Sequence, residues 1–243
     1  MPRFFMAGDI SGDLIRIDGK DAEHIKVLRM RPGEALTICD GKGTDYTCRL
    51  LSTKGQSVEA EIIKTAPSEG EPTVSCTVYT AFPKGDKAET IIQKSVELGA
   101  CAIVFFPSAR CVSRPEGAAL TKKCARWQKI SEEAAKQSGR GIIPEVSVLA
   151  SFESALAKAS EAEMPLFFYE GETDYTIKQA LETKSLYNTV SLVTGSEGGF
   201  EPSEVLQARE SGMLISSMGK RILRCETAPL CALASVMFHT GNL

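Results

Sequence analysis

The first part of the chain alternates apolar and polar residues between short turn signals. This period of two is typical of antiparallel strands that bury one face. Three such stretches are predicted to be strands, at residues 35–40, 46–52 and 58–64. Residues 1–66 are therefore expected to form a small β-barrel.

A short helix is predicted before these strands. Asp21 is expected to be its N-cap, and the helix would run through Met30 with His24, Val27 and Leu28 at its periodic positions. The barrel and this helix would make one small domain.

Residues 66–73 have the Pro, Gly and Ser content of a turn or linker, so we place the domain boundary there and predict domains at 1–70 and 71–243. Beyond it, strand-like and helix-like stretches alternate, which predicts an α/β fold with a doubly wound, mainly parallel sheet. The predicted strands are 74–82, 102–106, 166–169 and 189–194. The predicted helices are 88–98, 120–138, 151–160 and 176–183.

The stretch VSLVTGSEGGF at 190–200 predicts a ligand site. Its uncharged, β-branched start is typical of a strand buried on both faces, and Gly195, Gly198 and Gly199 allow another group to approach the backbone closely. Pro202 then opens a helix. In a parallel sheet, ligands bind at the carboxyl ends of strands. The alternative is a glycine turn that only closes a strand–helix junction.

Neither a GxxxxGK[ST] nor a GxGxxG motif occurs in the glycine loop, and the loop contains the carboxylate of Glu197, which would repel a pyrophosphate. A neutral or cationic ligand with an amino-acid part, such as S-adenosylmethionine, is therefore favoured.

The cysteine and histidine content argues against a zinc site. The eight cysteines form no CxxC pair and the chain has two histidines, a pattern typical of cytoplasmic thiols. The N-terminus lacks the apolar region of a signal peptide, and no stretch approaches the roughly 20 apolar residues of a membrane span. We expect a soluble, cytoplasmic protein without a metal.

Charge is strongly segregated along the chain. Residues 83–140 contain 11 Lys and Arg against 6 Asp and Glu, a net charge of +5, whereas residues 141–213 contain 4 against 12, a net charge of −8. This asymmetry favours a polyanion partner.

The long predicted helix at 120–138 is expected to carry a basic stripe, beside which Trp127 lies. Long cations here and in the preceding loop could reach RNA phosphates. The alternative is a solvated face with salt bridges to Glu132 and Glu133. The cations are Lys122, Arg126, Lys129, Lys136 and Arg140, with Arg110 and Arg114 in the loop.

Several motifs in order resemble the small-subunit (16S) ribosomal RNA uridine-N3 methyltransferases of the SPOUT superfamily. They are VTGSEGGFEPSE at 193–204, MGKRILRCETAPLCAL at 218–233, QKSVELG at 93–99, RW at 126–127, EEAAKQSGR at 132–140 and HIKVLRMRPGE at 24–34. The resemblance covers nearly the whole chain. It implies a PUA-like N-terminal β-barrel that binds RNA, with His24 and Arg29 as contacts, and a SPOUT-type C-terminal domain with a deep trefoil knot. It also implies a homodimer.

The same resemblance implies S-adenosylmethionine bound in the knot. The implied cofactor-binding residues are Val193, Thr194, Gly195, Glu197, Gly198, Gly199, Met218, Gly219, Ile222, Leu223, Glu170 and Gly171.

Methylation of uridine N3 requires loss of the imide proton, so a cation near O2 or O4 and a proton acceptor are needed. Arg224, and after it Arg221, are the candidate cations, with Glu226 or Glu97 as proton acceptor or as the group that orients the arginine. A helix-terminal salt bridge is an equal interpretation of Glu97. The family usually has Thr where this chain has Cys225, for which we favour packing over a nucleophilic role.

The expected function is S-adenosylmethionine-dependent methylation of N3 of a specific uridine in small-subunit ribosomal RNA, on the assembled subunit. The alternatives are a SPOUT methyltransferase that acts on a ribose 2′-hydroxyl or a tRNA base, and a noncatalytic RNA-binding protein.

Overall fold

A computed structural model of the chain describes residues 1–6, 10 and 12–243. The chain divides into two compact units. Unit 1 comprises Met1–Glu71 and Ala135–Ile143, and unit 2 comprises Pro72–Ala134 and Pro144–Leu243. The first division lies one residue from the predicted boundary, whereas the return of residues 135–143 to unit 1 has no signal in the sequence.

Unit 1 contains a five-stranded mixed sheet in the order β1-β3-β4-β5-β2 and one helix. The three predicted strands are confirmed as β3, β4 and β5, whereas β1 and β2 were not predicted because they are only three and four residues long. In this order β1 and β2 are edges, so pairing between the described strands does not close a barrel. The elements are β1 Arg3–Phe5, β2 Leu14–Ile17, α1 Gly19–Val27, β3 Ala35–Cys39, β4 Thr44–Ser52 and β5 Val58–Pro67.

Helix α1 differs from its prediction. It begins at Gly19, with Asp18 rather than Asp21 at the N-cap, and it buries Ala22 and Ile25 in the core of unit 1. Val27 and Leu28 are exposed, so the prediction assigned the wrong residues to the buried face of the helix. Burial of a side chain such as Ile25 contributes about 1.5–3 kcal/mol.

Unit 2 contains a six-stranded, fully parallel sheet in the order β11-β9-β10-β6-β7-β8. The α/β prediction is therefore confirmed. The strands are β6 Ser75–Ala81, β7 Ala102–Phe106, β8 Glu145–Val148, β9 Met164–Phe168, β10 Thr189–Thr194 and β11 Leu214–Ser216. The helices are α2 Lys87–Glu97, α3 Gly117–Ser138, α4 Phe152–Ala159, α5 Ile177–Leu181, α6 Pro202–Glu210 and α7 Ala228–His239.

Strand β10 occupies the interior of this sheet, paired with β6 on one side and β9 on the other. Five of its six residues are buried, which confirms the strand predicted from its uncharged, β-branched sequence. Strands β8 and β11 were not predicted, since each is short and lies at an edge. The carboxyl ends of β9, β10 and β11 are adjacent, and the loops that follow them form the site described next.

Candidate functional site

A cavity of about 1010 Å³ lies at the carboxyl ends of the adjacent strands β9, β10 and β11. Its volume is at the upper end of the roughly 300–1,000 Å³ typical of small-molecule sites. Three chain segments line most of it, residues 168–176 after β9, residues 194–199 after β10 and residues 217–228 after β11. The position predicted from the strand and its glycine loop therefore contains a ligand-sized cavity.

Ten of the twelve predicted cofactor-binding residues line this cavity. The two others do not. Val193 is fully buried within β10, where it packs in the sheet instead of facing a ligand. Gly171 is exposed beside the ring of Tyr169 and is not part of the lining.

The glycine loop packs closely against its neighbours, so an added Cβ would require them to shift. A Cβ atom at Gly195 would lie 3.1 Å from Cα of Gly199, and one at Gly198 would lie 2.9 Å from Cβ of Arg110. Gly199 has a φ of +66°, and a Cβ there would lie 2.3 Å from a carboxylate oxygen of Glu170. The loop thus presents backbone to the cavity.

The hydroxyl of Ser196 in this loop is buried, and no described residue pairs with it. Because Ser196 also lines the cavity, its Oγ is a polar group for a ligand to satisfy.

The carboxylate of Glu197 is hydrogen-bonded to residues at and just before the start of α2. Its Oε1 accepts hydrogen bonds from the Lys87 ammonium at 2.8 Å and from the Lys84 backbone amide at 3.0 Å. Burial opposes ionisation, but these bonds outweigh it and lower the pKa of Glu197 to about 2. Its charge is thus matched by Lys87, so Glu197 is weaker evidence against a phosphate ligand than the sequence indicates.

Cys225 is a buried thiol next to this ion pair. Burial, and then its hydrogen bond to Glu226, raise the pKa of the Cys225 thiol to about 12. The Sγ donates to Oε2 of Glu226 at 3.2 Å. A protonated, buried thiol is a poor nucleophile, which supports a packing role over a covalent one.

The predicted catalytic residues divide into two groups. Arg221 and Arg224 line the cavity and are exposed, and none of the described residues pairs with the Arg224 guanidinium. Glu226 lies directly beside this lining through its contacts with Cys225 and Lys87.

The structure does not bring Glu97 to the site. It ends α2, ten residues and about 15 Å along the helix from Lys87. Its carboxylate pairs with Lys94 at 2.8 Å. Glu97 therefore does not line this cavity, and its contact with Lys94 fits the salt-bridge interpretation.

The predicted RNA-binding residues are mostly exposed, namely His24, Arg29, Arg110, Arg114, Lys122, Arg126 and Lys129. Arg110 and Arg114 also bond locally, to Gly198 and Glu201 and to the Ser108 and Ala109 carbonyls. Arg126 pairs with Glu89 at 2.8 Å. Arg29 is notable because it has a φ of +54° in a position that favours glycine.

Two members of the basic stripe are held within unit 1. Lys136 is half-buried and lies 3.4 Å from Asp21. Arg140 lies beyond the end of α3 at Ser138, and its 4% exposed side chain forms a double hydrogen bond with Glu71. The prediction that Arg140 belongs to the exposed stripe is therefore wrong.

Trp127, which was predicted to lie beside the stripe, is buried, and its ring centroid lies 4.6 Å from that of Phe105.

Several residues of the cavity were not named as site residues from the sequence. Lys87 gave no signal because its partners lie far away in sequence, whereas Ser196, Lys220 and Ala228 lie within the recognised motifs but were not singled out. The missed lining residues are Lys87, Phe168, Tyr169, Glu172, Thr173, Thr176, Ser196, Ser217, Lys220 and Ala228.

None of the helices in the described residues is long and apolar enough to cross a membrane. Within the same residues, His, Cys, Asp and Glu form no group of three or more that could hold a metal ion.

Two protein-family models match this chain. The model of an RNA methyltransferase domain matches residues 70–237, and that of an RNA methyltransferase PUA domain matches residues 17–63. The fold and cavity of unit 2 therefore belong to an RNA methyltransferase domain.

Individual relatives narrow the family. The ribosomal RNA small subunit methyltransferase E of Bacillus subtilis is 34% identical, over 93% of this chain and 91% of the relative. The protein of the same name from Mycobacterium bovis is 30% identical over 96% and 89%. The crystal structure of a ribosomal RNA small subunit methyltransferase E from Neisseria gonorrhoeae, bound to S-adenosyl methionine, is 34% identical, covers 98% of this chain and 97% of that one, and has a TM-score of 0.83. The chain belongs to the ribosomal RNA small subunit methyltransferase E family.

Proposed function

We propose that this chain transfers a methyl group from S-adenosylmethionine to N3 of a specific uridine in small-subunit ribosomal RNA, with the assembled subunit as substrate. The observation that carries the proposal is the cavity formed by the loops after β9, β10 and β11. Its gonococcal relative, which is 34% identical, is bound to S-adenosyl methionine. The proposed reaction takes place in the cytoplasm, where ribosomal subunits assemble.

The residues of the cavity fit this cofactor. The glycine loop offers backbone amides and carbonyls at close range, and the buried hydroxyl of Ser196 is available to a polar group. Ile222, which is 86% exposed, and Leu223 offer apolar contact for an adenine. These residues would hold S-adenosylmethionine, which supplies an electrophilic methyl group on a sulfonium.

The chain's own residues must favour loss of the uridine N3 proton, because the N3 lone pair forms the new bond to carbon as the sulfur–carbon bond breaks. A cation near O2 or O4 stabilises the negative charge that develops on the base. Arg224 suits this role because its exposed guanidinium lines the cavity, and Arg221 is the second candidate.

Glu226 is better placed to hold its neighbours than to accept the proton. Its own backbone amide and then its bonds to Cys225 and Lys87 lower its pKa, with burial opposing the shift, and a carboxylate of lowered pKa is a weak base. We therefore propose Glu226 as an orienting residue and water or the RNA itself as the proton acceptor.

We also propose the finer features of the family architecture, namely a PUA-like N-terminal domain, a trefoil knot and a homodimer. The knot is supported by chain connectivity, because the chain leaves edge strand β11 and then packs α7 against β10 and β6, on the far side of β9. Backbone bonds between Ser217 and residues 175–177 join this crossing segment to the loop after β9.

We propose that RNA contacts come from both units separately. In unit 1 they are His24 and Arg29, and in unit 2 they are Arg110, Arg114, Lys122, Arg126 and Lys129. Their exposure supports the proposal. Lys136 and Arg140 are not included, since Lys136 is half-buried beside Asp21 and the Arg140 guanidinium is buried against Glu71.

The test is a methyl-transfer assay with labelled S-adenosylmethionine on naked small-subunit ribosomal RNA, assembled small subunits and tRNA, followed by mapping of the modified nucleotide. We expect one N3-methylated uridine, formed fastest on the assembled subunit. Methyl label on a ribose 2′-hydroxyl or on tRNA would contradict this proposal and indicate a methyltransferase with that target instead. Cofactor binding without transfer to any substrate would indicate a noncatalytic RNA-binding protein.

A further inference from the structure

Lys87 occupies an unusual position at the first residue of α2. A helix N-terminus carries partial positive charge, so a cation in the first turn is disfavoured by the helix dipole. The position therefore needs another explanation. Its ammonium lies 2.8 Å from Oε1 of Glu197, 3.4 Å from Oε2 of Glu226 and 3.7 Å from Sγ of Cys225.

The two carboxylates belong to different chain segments, of which Glu197 lines the cavity and Glu226 lies beside its lining. Glu197 is in the glycine loop after β10, and Glu226 is in the segment that precedes α7, two residues after Arg224. The ammonium of Lys87 contacts both carboxylates, and the backbone amide of Lys84 donates a second hydrogen bond to Glu197. One side chain thus joins the wall proposed to hold the cofactor to the segment that carries the proposed catalytic cation.

These groups keep their charges around neutral pH. The pKa of Lys87 is raised by its hydrogen bond to Glu197, and the pKa values of Glu197 and Glu226 are lowered. Cys225 stays a neutral thiol and donates to Glu226. The ammonium therefore contacts two carboxylates that both remain ionised, so the contact persists around neutral pH.

We propose that Lys87 is a positioning residue that sets the distance between the glycine loop and the Arg224–Glu226 segment by binding Glu197 and Glu226 with one ammonium. The proposal rests on the proposed methyl transfer. Its effect is on alignment, since Lys87 acts through Glu197 and Glu226 rather than on the reacting atoms. Misplacement of reacting groups by about 1 Å can cost about 100-fold in rate.

The test compares Lys87→Met, which keeps an unbranched stem without the charge, with Lys87→Arg and with the matched control Lys94→Met. Lys94 is on the same helix and also pairs with a glutamate, outside the cavity. In the cofactor-free protein, carboxyl titration by NMR should show Glu197 ionised to below pH 3 in the wild type. In Lys87→Met it should titrate closer to the ordinary glutamate pKa of about 4.3.

In the methyl-transfer assay, Lys87→Met should lower kcat by about 10- to 100-fold, with a change in cofactor Kd by calorimetry of less than about threefold. Lys87→Arg should restore most of kcat, and Lys94→Met should match the wild type. An unchanged kcat in Lys87→Met would overturn the proposal. So would a loss of cofactor affinity as large as the loss of kcat, because Lys87 would then only hold the binding loop.

Failure of the proposed function has a different signature. If the wild type itself transfers no methyl group to small-subunit RNA, methylation is refuted. A wild-type Glu197 that titrates normally refutes the Lys87 contact whatever the wild-type activity is.

Discussion

Gly199 closes the glycine loop in a left-handed conformation, with its Cα facing the Glu170 carboxylate. Gly199→Ala should lower S-adenosylmethionine affinity by at least about tenfold, equivalent to 1.4 kcal/mol, because the added Cβ would displace Glu170 in the cavity wall. Calorimetry measures this directly.

Gly212→Ala is the control for Gly199→Ala. Gly212 also has positive φ, at +81°, but a Cβ there would meet nothing within 4 Å and it is not part of the cavity lining. The two variants share the strain of a left-handed alanine, so only the first should lose the cofactor. Equal affinities for both would show that the loop is not the cofactor wall.

Arg224 offers a second prediction at the residue scale. Arg224→Ala should lower kcat by about 10²- to 10³-fold at saturating substrates, the range for loss of one group that stabilises developing charge. Cofactor Kd should stay near the wild-type value, and Arg224→Lys should recover part of the rate because it keeps the charge but not the planar fork. If only cofactor affinity changes, Arg224 is a binding residue instead.

At the scale of elements, α3 carries the proposed RNA-binding face of unit 2. Arg126→Glu with Lys129→Glu should weaken binding to small subunits and reduce the salt dependence of binding, by roughly 0.7–0.9 in slope for each phosphate that the protein no longer neutralises. Cofactor affinity should not change. Binding measured across a salt series is the appropriate experiment.

Lys158→Glu with Lys178→Glu makes the same charge change on exposed positions of α4 and α5, in the acidic segment 141–213. It should affect RNA binding far less. Similar losses in the two double variants would mean that net charge, rather than the α3 face, determines affinity.

The Arg140–Glu71 pair joins two distant segments of unit 1. Glu71→Gln should lower the free energy of unfolding by about 3 kcal/mol, because it removes a carboxylate charge paired with a buried guanidinium. Glu61→Gln, in the exposed pair of Glu61 with Arg49, should change it by less than about 1 kcal/mol. Urea unfolding at pH 7 compares them, and equal effects would contradict a special role for the buried pair.

The same pair predicts a pH dependence of stability. Burial opposes ionisation of Glu71, but its bonds to Arg140 and to the backbone amides of residues 141 and 142 lower its pKa below 4.5. A lowered folded pKa means that this stabilisation is present above the unfolded pKa and is lost as pH falls through the folded value. Below about pH 4.5, the wild type should therefore lose part of its advantage over Glu71→Gln.

At the scale of the whole molecule, the proposed homodimer can be tested at α7. This helix has Phe238 76% exposed and Cys231 also exposed, so an apolar side faces solvent in the single chain. Phe238→Asp should shift the protein toward monomer in sedimentation experiments, whereas Leu206→Asp on α6 should not. A monomeric wild type would refute the homodimer.

The local patterns of the sequence were sufficient for most elements and for the location of the cavity. The uncharged run at 189–194 and the three following glycines identify a buried strand and its loop, because strand burial is a local requirement of the backbone, and so is the positive φ of Gly199. The motif set likewise identified the family, which the similarity to the Bacillus subtilis protein confirms. Short edge strands such as β1 and β11 were not predicted, because three residues are too few to show a hydrophobic periodicity.

Which charged groups meet depends on how distant segments of the chain pack together. Lys87 and Glu197 are 110 residues apart, and Arg140 and Glu71 are 69 apart, so no spacing rule could pair them. These pairings show that Arg140, predicted to contact RNA, is a buried structural cation, and they identify Lys87. The sequence by itself determined the strand, the loop and the family, because these depend on neighbours along the chain. The partners of each ionised side chain depend on how distant segments pack, and that information exists only in the folded protein.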